Sequence, residues 1–184
     1  MRNNLLFFIP TYNEKENVEL IFSQISKLGL SCDILFIDDN SPDGTAKKLE
    51  EIKKDNQNVF VLHRGKKYGI GSAHKEGILW AYKNQYEQLI TLDCDLTHSP
   101  DDVVKFLKKS KDSDIIVGSR FIDKKSLNSW NFYRKFLTHL GHFFSKLILG
   151  INYDTTGAFR LYNIKKISKL FLNNIDSVGY SFFF

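Results

Sequence analysis

The chain has 184 residues, 42% of them hydrophobic and 14% aromatic, which is material for one ordinary core and so for a single domain over residues 1–184. Its formal charge of +5 is modest and reads first as a solvated surface, while two cysteines, Cys32 and Cys94, without CxxC spacing exclude a disulfide framework and argue against zinc. The early apolar run is too short for a signal-peptide core or a membrane span, so the expectation is a soluble chain in a reducing cytoplasm.

That run, LLFFIP (Leu5 to Pro10), is continuously apolar, as a parallel strand buried on both faces requires, and Pro10 ends it. From Glu14 to Leu28, Val18, Ile21, Phe22, Ile25 and Leu28 recur at helical spacing, with Glu14 and Glu16 in the first turn and Gly29 as a stop. DILFIDD (Asp33 to Asp39) predicts a second strand ending in two acids, and SPDGT (Ser41 to Thr45) a turn before a charged helix over 46–54. NVFVLHR (Asn58 to Arg64) predicts strand three, a glycine-bearing loop leads into a helix over 72–83, and QLITLD (Gln88 to Asp93) predicts strand four. Ser99 and Pro100 suit an N-cap and a first helical residue, with Asp101 and Asp102 at the positive end of the helix that follows. SDIIVGSR (Ser113 to Arg120) predicts strand five.

Strands alternating with helices over short connections predict an α/β chain, a mostly parallel Rossmann-like sheet with helices on both faces. Ligands of such sheets sit beyond the carboxyl ends of the strands. Polar residues gather there: Thr11 to Glu14 after strand one, Asp38 and Asp39 after strand two, Asp93 and Asp95 after strand four, and Arg120 after strand five. Each motif alone is weak, but their shared edge is hard to reach by chance.

The spacing Asp93-Cys94-Asp95 puts both carboxylates on one side of the pleat, where they can approach one hard cation such as Mg²⁺ or Mn²⁺. Thr97 follows within reach, to add a hydroxyl ligand or to orient a metal-bound water, and His98 reads equally as structural or functional. Asp38 and Asp39 either bind ribose hydroxyls or cap the next helix together with Ser41 and Asp43. GIGSAHKEG (Gly69 to Gly77) departs from a dinucleotide fingerprint at His74, yet two glycines at a helix start let backbone approach a ligand. There is no P-loop and no G-x-S-x-G.

The series IPTYNEKEN, FIDDNSPDGT, RGKKYGIGSAHKEG, LDCDLTHSP, IVGSRF, WNFYRKF and DTTGAFRLYN resembles the family-2 glycosyltransferases, and among them the dolichol-phosphate (polyprenyl-phosphate) mannosyltransferases. The resemblance runs in order along essentially the whole chain. It implies a GT-A fold that binds a nucleotide sugar through a divalent metal. By match to the family's pattern, Pro10, Tyr12 and Glu14 contact base and ribose, and Ile37 and Asp39 complete that pocket. Asp93, Cys94 and Asp95 line the diphosphate, Asp93, Asp95 and Thr97 serve Mg²⁺ or Mn²⁺, and Arg120 and Arg134 receive the acceptor's phosphate. Cys94 stands where the family usually has alanine, and Thr97 where it often has glutamine or serine.

The implied reaction is inverting transfer of mannose from GDP-mannose to a dolichyl or polyprenyl phosphate, peripherally at a membrane. A lipid phosphate is already anionic at neutral pH, so it needs positioning and charge compensation rather than a general base, which suits arginines. The aromatic and basic stretch Trp130 to Gly150 then reads either as an interfacial amphipathic helix or as a core-facing one. The alternatives are a family-2 transferase with another donor and a hydroxyl acceptor, for which Asp154 is the obvious base, or an inactive nucleotide-binding remnant. The resemblance also implies a continuation beyond SVGYSFFF, so the expectation is a truncated frame, a fragment or a half that needs a partner subunit. Nucleic acid is not an expected partner, because the basic residues lie beside an acidic mouth.

Overall fold

The structure, a computed structural model, describes residues 3–119, 140, 146–148, 150, 157–173, 175, 177, 179 and 182. Within them the elements run β1 (Leu5–Thr11), α1 (Val18–Lys27), β2 (Cys32–Asp38), α2 (Thr45–Asp55), β3 (Val59–His63), α3 (Ile70–Lys83), β4 (Gln88–Thr91), α4 (Val103–Lys109), β5 (Ile115–Val117), β6 (Arg160–Asn163) and the short α5 (Leu170–Asn173). The strands form one sheet in the order β3-β2-β1-β4-β6-β5. The pairs β1–β2, β2–β3 and β1–β4 are parallel, whereas β6 runs antiparallel to both β4 and β5.

The apolar runs are continuous because both faces of the sheet are covered. Phe7 and Ile9 of β1, with Ile34 and Phe36 of β2, pack beneath α1, α2 and α4 through Ile21, Leu49 and Val103. Leu6 and Phe8, with Leu35 and Ile37, pack against α3 through Ala73, Ile78 and Ala81. Helix α3 lies close to β1 only because residue 77 is glycine: a Cβ there would meet the Phe8 ring at 2.8 Å.

The predicted sheet and helices are borne out with corrections, β4 ending already at Thr91 and β5 spanning Ile115–Val117. RLYN forms a strand that the sequence reading did not assign, and it inserts between β4 and β5, so β5 never touches β4. The predicted first helix starts later, at Val18, because Glu14 to Asn17 form a turn in which Glu14 O accepts from the amides of Asn17 and Val18. Glu14 therefore sits in a loop facing the strand ends rather than in a helical first turn. The predicted cap at Ser99 is present: its Oγ accepts from the Asp101 amide 3.2 Å away, and Pro100 opens a 3₁₀ turn that leads into α4.

Candidate active site

Beyond the carboxyl ends of β1, β2 and β4 lies a cleft of about 350 Å³. Pro10, Tyr12, Glu14, Asp39, Asp93, Cys94 and Asp95, all expected from the sequence to hold a donor, line it together. Ile37 does not: it follows the two-residue period of β2 into the apolar layer under α3, where it is fully buried. Ile70 and Ala73, from the glycine-bearing stretch expected to approach a ligand, line the cleft too, as does Lys67, for which the sequence suggests no role. Arg120, Arg134 and Asp154 lie outside the described residues, as does most of Trp130 to Gly150.

The loop after β1 is held by the turn after β2. The amides of Asn13, Glu14 and Lys15 donate in succession to Ser41 Oγ (2.9 Å), Thr45 Oγ1 (2.9 Å) and Asp43 Oδ2 (3.1 Å). The Asp43 carboxyl also caps α2, accepting from the Thr45 amide and hydroxyl. Burial pushes its pKa up, but these hydrogen bonds outweigh burial and hold it below the ordinary value. SPDGT is thus both a turn and the support on which Tyr12 and Glu14 rest.

The two acids after β2 divide the alternatives between them. Asp38, 1% exposed, accepts from Ser41 Oγ at 2.6 Å, the Ser41 amide at 3.0 Å and Thr11 Oγ1 at 3.3 Å, so its work is to close the turn. Asp39 lines the cleft but also organises the next loop. Its Oδ1 accepts from Arg64 Nη1 (3.0 Å) and the Tyr68 amide (2.9 Å), and its Oδ2 from the Gly69 amide (2.9 Å). That puts a carboxylate at the positive end of α3. Gly69, at φ 93°, adopts a conformation that side chains disfavour exactly where the loop becomes helix.

Past β4, the Leu92 amide donates to Phe8 O, and the chain then turns through Asp93, Cys94 and Asp95. Asp95 Oδ1 accepts from the Thr97 amide at 3.0 Å, which orients the carboxylate. The contact between Thr97 and the site thus runs through its backbone N–H, and its side chain is not among those lining the cleft. Cys94 is buried at 2% exposure, and its thiol pKa is pushed up by burial first and then by the charges of Glu14, Asp95 and Asp93. Burial likewise raises the Glu14 carboxyl against a lowering hydrogen bond from Asn17 (2.7 Å), and the charges of Asp95 and Asp43 raise it further.

Three carboxylate fields therefore overlap around one buried thiol, an arrangement that a hard cation would relieve. Among the described residues no group of three or more His, Cys, Asp or Glu is placed to hold a metal by itself. The oxygens of Asp93 and Asp95 fit the mode in which Mg²⁺ or Mn²⁺ takes one or two carboxylates and completes its shell with water and substrate phosphate. They do not form an all-protein cage.

Residues 7–171 match the glycosyl transferase family 2. A polyprenol monophosphomannose synthase of Mycolicibacterium smegmatis is 33% identical over 180 residues, covering 96% of this chain and 68% of the relative. An undecaprenyl-phosphate mannosyltransferase of Micrococcus luteus is 32% identical over 179 residues, covering 97% and 74%. Among solved structures, a mannosyltransferase from Pyrobaculum calidifontis in complex with GDP-Man and Mn²⁺ superposes with a TM-score of 0.56 at 16% identity, over 89% of this chain and 45% of that one. Mannosyl-3-phosphoglycerate synthase from Rubrobacter xylanophilus superposes with a TM-score of 0.64 at 15% identity, over 88% and 53%. This chain spans about half the length of those two structures, and the likeness is one of fold, the GT-A fold expected from the sequence. With a family match over residues 7–171 and relatives above 30% identity across nearly all of its length, the chain belongs to glycosyl transferase family 2.

Proposed function

We propose that this chain transfers mannose from GDP-mannose to a polyprenyl or dolichyl phosphate, with inversion at the anomeric carbon and with Mg²⁺ or Mn²⁺ bound. The observation that carries the reading is one cleft lined by Tyr12 and Glu14 together with Asp93 and Asp95. The names of the two relatives support the choice of mannose and of a lipid phosphate acceptor.

In this reading Tyr12, Pro10 and Glu14 receive the base and ribose, and the Asp39-bound loop closes that end of the site. Asp93 and Asp95 hold the metal, which supplies charge neutralisation for the departing nucleoside diphosphate. The acceptor phosphate brings its own negative oxygen, so the protein's task is alignment and charge compensation, which the resemblance gives to Arg120 and Arg134. Buried Cys94, its thiol kept protonated, is not a nucleophile and keeps the floor of the site small. Among the described residues no helix is long and apolar enough to cross a membrane. Contact with the lipid is assigned to a membrane surface, and exposed Leu147 (67%) and Ile148 (72%) in the Trp130 to Gly150 stretch support it.

The test is to incubate the protein with Mg²⁺ or Mn²⁺, labelled GDP- and UDP-sugars and a short polyprenyl phosphate, then extract the lipid. Mannose label in an acid-labile lipid phosphate is the expected result, with loss of at least about 100-fold in Asp95→Ala. Label confined to the aqueous phase, or an Asp95→Ala variant as active as the native chain, would sink the reading.

A further inference from the structure

Lys67 stands out in the cleft. It is the one cation among the described lining residues, and Glu14, Asp39, Asp93 and Asp95 line the same space. Asp39 is already matched by Arg64, and that ion pair is well buried, with both side chains 8% exposed. The carboxylates of Glu14 and Asp95, which accept from Asn17 Nδ2 and the Thr97 amide, are further opposite charges in reach of the cleft that Lys67 lines. Its ammonium instead lies 3.5 Å from the centre of the Tyr12 ring and makes no ion pair among the described residues.

The backbone beneath Lys67 is fixed. Arg64 donates to Asp39, to Gly69 O and to Ser72 Oγ, and it pairs with Glu76 at 3.3 Å. The amides of Tyr68 and Gly69 close the other end of the loop on the Asp39 carboxylate. A pinned loop thus carries an exposed, four-carbon side chain with a movable point charge at its tip. The tip covers one face of the Tyr12 ring, in the same cleft that Asp93 and Asp95 line.

We propose that Lys67 is a donor-binding residue with two positions: its ammonium covers the Tyr12 ring, and on nucleotide binding it yields the ring to the base and moves onto the diphosphate. This rests on the nucleotide-sugar reading of the cleft and deepens it. The consequence is selective: a nucleoside must displace the ammonium and gains nothing from it, whereas a nucleoside diphosphate recovers the contact as a charge-assisted one. Lys67 then favours ligands that bring both a base and a phosphate.

The experiment measures binding of GDP, UDP, guanosine and uridine to the native protein, Lys67→Met and Lys67→Arg by calorimetry in Mg²⁺, with thermal melting as a folding control. Because Lys67 is exposed, both variants are expected to melt as the native chain does. Lys67→Met should weaken the preferred diphosphate roughly tenfold, the scale of one charge-assisted contact, while its nucleoside binds equally well or better. Lys67→Arg should restore most of the diphosphate affinity. Equal losses for nucleoside and diphosphate, or no loss for either, overturn the proposal while leaving the donor reading intact. A native chain that binds neither GDP nor UDP overturns both.

Discussion

The two ends of the sheet treat their acids differently. At the amino end, buried Asp33 is 6% exposed and accepts from Asn3 Nδ2 at 2.6 Å and the Tyr86 hydroxyl at 2.5 Å, neutral donors supplied by the fold. At the carboxyl end, Glu14, Asp93 and Asp95 add their charges around Cys94 and push its thiol upward. A buried acid matched by neutral donors is scaffold. Acids whose fields accumulate at one place form a seat for positive charge, and these are the acids that line the cleft.

The sharpest way to break this contrast is to remove one acid from each end. Asp95→Ala is expected to abolish most transfer without lowering the melting temperature, because its loss relieves repulsion on Glu14. Asp33→Ala should do the reverse, costing about 1–3 kcal/mol of stability by urea unfolding as the buried Tyr86–Asp33 hydrogen bond is lost, with the rate per folded molecule unchanged. If Asp33→Ala slowed transfer as much as Asp95→Ala, the division of labour between the two ends would be wrong.

A second expectation separates both sets of acids from the basic group on the buried face of α3. His74 is fully buried between Phe8 and Phe182, and burial, then the charge of Arg160, lowers its pKa from 6.5 to about 3. The unfolded chain takes up this proton at about pH 6.5 and the folded chain does not. Stability is therefore full above that pH and falls by about 1.4 kcal/mol per pH unit as the pH drops toward 3. Urea unfolding at pH 7.5, 6.5 and 5.5 should show the decline before carboxylates titrate, and His74→Leu should flatten it.

The smallest effect sharpens the comparison most. The raised Glu14 carboxyl means that its charge is unfavourable in the folded state: stability is greatest below the ordinary carboxylate pKa and declines as the pH rises through the raised one. Glu14→Gln should raise the melting temperature at neutral pH by about 1–2 °C, small because the group is partly solvated, while donor KM increases. A melting temperature that falls would place Glu14 with Asp33 among the scaffold acids.

Much of this was legible in the sequence for a physical reason. β1 to β4 announce themselves because strands covered on both faces must be apolar throughout. β6 does not, because buried Arg160 and Asn163 interrupt its apolar pattern: Arg160 Nε donates to the nearby Gly157 O at 3.0 Å, and Asn163 Nδ2 to the distant Ser110 O at 2.5 Å. The strand-end rule found Tyr12, Glu14, Asp39, Asp93 and Asp95, whose places follow from where strands stop. Lys67 was hidden because its place depends on a loop held by the distant Asp39 together with Arg64, and the glycines after it, Gly69 and Gly71, were the available hint. The split between Asp38 and Asp39 needed the turn at Ser41, which composition does not disclose.

The placement of β6 also sets a timetable. During synthesis β4 emerges with β1 on one edge, and among the described strands its other edge and that of β5, the next to leave the ribosome, have only β6 to join. Both wait for Arg160 to Asn163, which pair with Gln88–Thr91 on one side and Ile115–Val117 on the other. The sheet is thus completed out of chain order, and until then the nascent protein carries an unpaired strand edge beside its Asp93-Cys94-Asp95 turn, open to any other chain that offers one.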